Sequence, residues 1–160
     1  MTSWLGFSEI IKRGFLAGAA GGLAEMIWVS LYATITGDNA ASLARGVTTA
    51  AGVTTLLPDA PVTIGISVHM ALAVLLGVAL AGLWQAFARC DAISLYGFML
   101  AALATVWAVN FFVILPVISP AFALLMPYPV SLTSKLLFGL AAAETLRRCA
   151  GAQEKVAQQA

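Results

Sequence analysis

The sequence predicts an all-α integral membrane protein with four transmembrane helices and both termini in the cytoplasm (N-in/C-in). A short interfacial helix precedes the first span, and a further helix lies in the first outer loop. Three observations lead there. Only 9% of the 160 residues are charged and 61% are hydrophobic, whereas soluble domains carry roughly 25% charged residues. So few charges cannot clothe a water-facing surface. Four apolar segments, about 14–35, 62–88, 92–118 and 130–146, are each near the ~20 residues that cross a bilayer core. The basic residues also alternate in side. Lys12 and Arg13, Arg89, and Arg147, Arg148 and Lys155 fall on one side of four spans, with only Arg45 and Lys135 near the other. Cytoplasmic loops carry the excess of Lys and Arg, which fixes the orientation in the inner (plasma) membrane as a multi-pass protein.

Residues 1–13 read as the interfacial segment. Trp4, Phe7 and Ile11 share one face, with Glu9, Lys12 and Arg13 polar, as suits a helix along the headgroups. The basic residues precede an apolar run that holds Glu25 and lacks a small-x-small cleavage site, so the run is read as a retained span rather than a signal peptide. Residues 14–148 form the membrane domain, and 149–160 read as a disordered cytoplasmic tail. In the outer loop from Thr36 to Pro61, Asp38 is placed to cap a helix from about Ala40 to Gly52. The Arg89–Asp91 turn is short enough to make spans two and three an antiparallel hairpin. Pro116, Pro120, Pro127 and Pro129 break the long uncharged stretch between spans three and four. The loop between them, with Phe122, Leu124, Leu125 and Met126, has no charge and should lie in the interface. Cys90 and Cys149 lie at the cytoplasmic edge without CxxC spacing, which argues for free thiols.

Span one carries the most informative pattern. Gly14, Gly18 and Gly22 recur every fourth residue, and Glu25 continues their stripe. Small residues at this spacing let membrane helices approach closely, as in a glycine zipper. A carboxylate on that edge therefore faces another helix or a cavity. Similar edges run through Gly65, His69, Ala73 and Gly77 in span two and through Ser131, Lys135, Gly139 and Ala143 in span four. At a rise of ~1.5 Å per residue, Glu25 lies about 16 Å above the cytoplasmic boundary. By the same count His69 lies about 10 Å, Asn110 about 12 Å and Lys135 about 7 Å below the outer one. All four polar groups thus fall in the outer half, and an intramembrane polar cluster of Glu25, His69, Asn110 and Lys135 is the candidate site.

Each member has a plainer reading. Glu25, His69 and Asn110 serve equally as interhelical hydrogen-bonding groups, and Lys135 as a side chain reaching the outer headgroups. Glu144 precedes Arg147 and Arg148 by three and four residues, which makes it a boundary ion pair. The chain has one histidine, so neither an HExxH zinc site nor bis-histidine haem is available within it. No phosphate loop, nucleophile elbow or dinucleotide fingerprint occurs. No cofactor, metal or catalytic constellation is expected, and the net charge of +1 argues against nucleic acid. The function expected first is a non-enzymatic polar site for passage or binding of a small solute, ion or proton. The alternative is an accessory or assembly subunit that packs on a larger membrane complex, or on a second copy, through glycine-rich helix faces. Apart from such a complex, the expected partner is the lipid bilayer.

Overall fold

The computed structural model describes residues 6–37, 39–55, 59–87, 94–123 and 126–159, with the side chains of 122, 123 and 153–159 excepted. Every regular element among the described residues is helical. Helix α1 (Phe7–Thr36) ends at Gly37, whose φ of 75° supplies the left-handed turn that closes many helices. Helix α2 (Ala40–Ala50) is capped by Asn39, which accepts from the amide of Ala41 at 2.9 Å. Pro61 opens α3 (Pro61–Phe87) in the first turn, where an amide has no intrahelical acceptor and its absence costs no helical bond. Ser94 caps α4 (Leu95–Val109), accepting from the amide of Gly97 at 3.1 Å. Helix α4 passes through a π-turn at Asn110–Ile114 into α5 (Leu115–Ile118). Two further helices, the short α6 (Pro120–Ala123) and α7 (Tyr128–Gln159), complete the chain.

The long helices pack antiparallel. A side chain at Gly14 would collide with Val78, one at Gly18 would come within 2.7 Å of Val74 Cα, and one at Gly22 within 2.7 Å of Ala73 Cβ. Gly77 meets the backbone of Gly18 in return. The α1 glycines therefore let the α3 backbone approach to a distance that a Cβ would forbid. On its other flank α1 meets α7: a Cβ at Gly21 would lie 2.6 Å from Phe138, and Trp28 Nε1 donates to Val130 O at 3.0 Å. Helix α4 lies on the far side of α7, with Met99 O 3.3 Å from a Cβ at Gly139. The spatial order is α3, α1, α7, α4. Trp84 and Phe87 meet Phe98 at centroid distances of 5.5 and 5.6 Å, joining α3 and α4 where one ends and the other begins.

These registers define two halves of the bundle. The lower half holds the start of α1 and α4 and the end of α3. The upper half holds the end of α1, α2, and the start of α3 and α7. Most of the buried apolar cluster is in the lower half, where Leu80, Met99, Leu103, Phe138, Ala142 and Leu146 interlock. In the upper half α2 closes over α3: Thr48 donates to Pro61 O at 2.5 Å, and a Cβ at Gly65 would strike Ala44 O. The outward faces are apolar, with Leu23, Ile27, Leu72, Leu75, Val113 and Val117 all exposed. Three stretches, Phe7–Thr36, Pro61–Phe87 and Leu95–Ile118, are long and apolar enough to cross a membrane.

Several elements differ from the sequence expectation. Helix α1 is continuous from Phe7. No boundary near residue 13 separates the expected interfacial segment from the first span. Of the interfacial segment, residues 1–5 lie outside the described residues, as do Asp38, Leu124, Leu125, Cys90 and the whole Arg89–Asp91 turn. Asn39 is the observed α2 cap. The segment expected to be a disordered tail is helical to Gln159, and its Ala, Gln, Glu and Lys are good helix formers. The stretch expected as span four lies within α7, which is not among the three long apolar stretches. Lys135, Glu144 and its Ser and Thr residues lower its apolar content. The π-turn has a clear cause. Pro116 offers no amide, and its ring would meet the carbonyl four residues back, so the helix widens and the Leu115 amide bonds Asn110 O instead.

Candidate functional site

Glu25 occupies α1 one turn beyond Gly21 and Gly22. The close approach that these glycines permit brings helices from both flanks around its carboxylate. From α7, Lys135 Nζ reaches Glu25 Oε1 at 2.7 Å and Oε2 at 3.0 Å. Ser134 Oγ, one residue earlier on α7, lies 3.3 Å from Oε1 and donates to it or to Ser131 O at 3.0 Å. From α3, His69 Nε2 stands 3.7 Å from Oε2 and 3.4 Å from Gly22 O. A carbonyl only accepts, so the Gly22 contact assigns the hydrogen to Nε2 and leaves Nδ1 as the ring's acceptor. The carboxylate is thus surrounded by donors from two other helices. This is what an acidic group needs where water is scarce.

Exposure within the cluster is uneven. The Glu25 side chain is 4% exposed, that of Lys135 21% and that of His69 26%. The acceptor is the buried member, and the two nitrogen bases are partly exposed. The Lys135 ammonium also lies 5.9 Å from the Phe138 ring centroid, within reach of a cation–π contact. Phe138 marks the top of the apolar cluster, so the polar groups end where the lower core begins. No buried side-chain nitrogen or oxygen among the described residues lacks a partner. No group of three His, Cys, Asp or Glu side chains suited to a metal occurs among them either.

Asn110 is not brought into this cluster. Trp107 Nε1 donates to Ser131 Oγ at 2.9 Å, which sets the α4–α7 register. Ser131 is already one turn above Lys135, and Asn110 lies almost a turn further up. It opens the π-turn beside Trp107, Phe111, Phe112 and Tyr128, whose rings contact one another at centroid distances of 5.5 to 6.3 Å. Depth alone groups Asn110 with the other three, and the antiparallel register moves it away. Ser134, Trp28 and Trp107 were not anticipated. Ser134 stands next to Lys135 and three residues from Ser131, a spacing that could have suggested a helical face. The tryptophans gave no such signal.

The glycines divide among the interfaces. Gly14, Gly18, Gly22 and Gly77 line the α1–α3 contact, Gly65 receives α2, and Gly139 receives α4. At the lower boundary Glu144 accepts from Arg147 at 2.7 and 2.8 Å and from Arg148 at 2.6 Å. It also accepts from Tyr96 at 2.5 Å, which ties the pair to α4. Cys149, five residues further along α7, is a free thiol.

No known protein family, curated protein or solved structure matches the chain.

Proposed function

We propose that this is a four-pass inner-membrane protein whose upper half holds a polar site for binding or passage of a small solute, ion or proton. One observation carries the reading: Glu25, Lys135 and His69, from three different helices, converge on one carboxylate at mid-bundle depth. Their partial exposure increases from the acid to the two bases. Ionisable residues at membrane depth are costly, and where they persist they mark sites. Four passes are supported by the antiparallel packing of α7 along both α1 and α4. A cytoplasmic lower end is supported by Lys12, Arg13, Arg147 and Arg148 there. Under this reading the site opens toward the outer side and the apolar cluster closes it from the cytoplasm.

The accessory-subunit alternative has less in its favour. It calls for a glycine edge left open on the exterior, and the edges of α1 and α3 are used against each other within the chain.

The test is thiol accessibility in intact cells, in a chain with Cys90 and Cys149 replaced by Ser. A membrane-impermeant maleimide is expected to label His69→Cys from outside and to leave Ala81→Cys, in the lower core, unlabelled. Equal lack of labelling at both positions would mean a dry, structural cluster and would sink the proposal.

A further inference from the structure

The lower rim of the bundle carries more positive charge than its own carboxylates balance. Six basic residues fall at this end in the sequence, Lys12, Arg13, Arg89, Arg147, Arg148 and Lys155, against four acidic ones, Glu9, Asp91, Glu144 and Glu154. The excess is two positive charges. The outer loop, with Asp38, Arg45 and Asp59, has an excess of one negative charge. The surplus at the lower rim is built in pairs. Lys12 stands 3.1 Å and Arg13 4.0 Å from Glu9, and Arg147 and Arg148 share Glu144. Each carboxylate holds two bases where one would neutralise it.

The Glu144 group is the more specific of the two. Its Oε1 accepts from Arg147 Nη2 at 2.7 Å and from Arg148 Nε at 2.6 Å. Two nitrogens on one oxygen are close neighbours, so the guanidinium groups stand side by side. Oε2 accepts from Arg147 Nε at 2.8 Å and from the Tyr96 hydroxyl at 2.5 Å. The carboxylate is filled, and it fixes the arginines without using all their donors. A guanidinium has five N–H groups, and Arg148 gives Glu144 only the one on Nε. The Arg147 and Arg148 side chains are 60% and 76% exposed. Two adjacent guanidiniums with N–H groups to spare match the several oxygens of a phosphate.

Position selects which phosphate. Tyr96 stands in the first turn of α4, where the apolar stretch Leu95–Ile118 begins. Its bond to Glu144 puts that carboxylate at the start of the stretch, and Arg147 and Arg148 follow about one turn further out along α7. In a bilayer crossed by that stretch this is the level of the headgroups, where tyrosine is enriched. Toward the upper half, Leu140 is exposed. It precedes Arg147 by seven residues, about two turns, and so lies on the same face of α7. The acyl chain of a lipid whose phosphate rests on the arginines would run along that face. A free phosphate ion would gain nothing from it.

We infer that Arg147 and Arg148, held by Glu144 and Tyr96, bind the phosphate of an anionic phospholipid at the lower rim. A zwitterionic lipid brings its own cation, which the surplus charge of the pair repels. The inference rests on the membrane-spanning reading and not on the Glu25 cluster, so its failure would leave that cluster's role untouched.

The experiment uses the full chain in mild detergent, with phosphatidylglycerol and phosphatidylcholine in equal amounts as probes. Native mass spectrometry counts the bound lipids. The chain is expected to retain more phosphatidylglycerol than phosphatidylcholine. A basic group near an anionic membrane surface is worth about fivefold in binding. Arg148→Gln should lower phosphatidylglycerol retention by about that factor and leave phosphatidylcholine unchanged. Lys12→Gln removes a comparably exposed charge, 68%, from the same rim and should have a smaller effect. Circular dichroism checks that each variant folds. Equal retention of the two lipids by the unmodified chain would overturn the proposal, whatever the variants do. A loss in Lys12→Gln as large as in Arg148→Gln would overturn it too, by showing a diffuse positive rim in place of a site. Two competitors complete the test on the unmodified chain. Displacement of phosphatidylglycerol by an equal concentration of inorganic phosphate would assign the arginines to a free ion. Displacement by a glutamate-rich peptide would assign them to an acidic protein segment. Either displacement would overturn the lipid site, and persistence of the lipid against both is the expected result.

Discussion

The two halves of the bundle are built on different principles. The lower half is mostly apolar: Leu80, Met99, Leu103, Phe138, Ala142 and Leu146 fill it, and its charged groups lie at its end, in the Glu144–Arg147–Arg148 cluster and in the first turns of α1, where Arg13 is buried beside Glu9. The upper half buries Glu25, Thr48, Ser131 and Ser134 and satisfies each through a hydrogen bond to another element or to its own turn. In a bilayer the lipid is as apolar as leucine, so helix association rests on close packing and interhelical polar contacts. The lower half uses mostly the first and the upper half adds the second. The contrast shows why a site can exist in the upper half at all. Its polar groups have partners on three helices, and the lower core below them needs none.

Breaking the upper half should have the largest effect. Lys135→Met leaves Glu25 buried without its cation. Removing one partner of a buried pair costs about 3–5 kcal/mol, and unfolding in detergent should register a loss of that order. Breaking the shared α1–α3 contact comes next. Gly18→Leu forces a side chain into the backbone of Ala73 and Val74, and overpacking costs typically about 1–3 kcal/mol. Gly52→Leu serves as its comparison, because a Cβ there meets nothing within 4 Å, although its φ of 69° adds some strain of its own. Equal losses for the two glycines would mean that steric contact is not what Gly18 provides. The smallest effect is expected from Trp107→Phe, which keeps the ring cluster and removes one bond to Ser131. Interhelical hydrogen bonds in membranes average about 0.6 kcal/mol. A loss comparable to Lys135→Met would show that the α4–α7 contact, not the Glu25 cluster, holds the upper half.

How far these halves were legible in the sequence depends on which physical property is asked. Apolar length marks the helices, because it follows directly from composition. The glycine spacing marks the edge of α1 that faces α3, and depth counting places Glu25, His69 and Lys135 in the outer half of the membrane. Depth fails for Asn110, since a residue's height says nothing of the direction it faces or of the register between neighbours. The continuity of α1 is not legible, because Trp4, Phe7 and Ile11 with Glu9, Lys12 and Arg13 suit a helix along the headgroups as well as the first turns of a span. The π-turn was hidden too, although Pro116 was visible. Proline announces a disturbance in a helix but not whether the chain breaks or widens. Ser134 escaped because serine is common in membrane helices and only the position of Glu25 gives it meaning.

The account rests on the claim that Glu25 and Lys135 act as one unit across α1 and α7. A double-mutant cycle of Glu25→Gln and Lys135→Met, read as unfolding free energy in detergent, tests it directly. Groups in contact within one network show interaction energies of about 0.5–3 kcal/mol, and this pair at 2.7 Å should fall in the upper part of that range. The double variant should be more stable than the sum of the single losses implies, since it leaves no buried charge unpaired. Additive losses, with no coupling beyond error, would contradict the account.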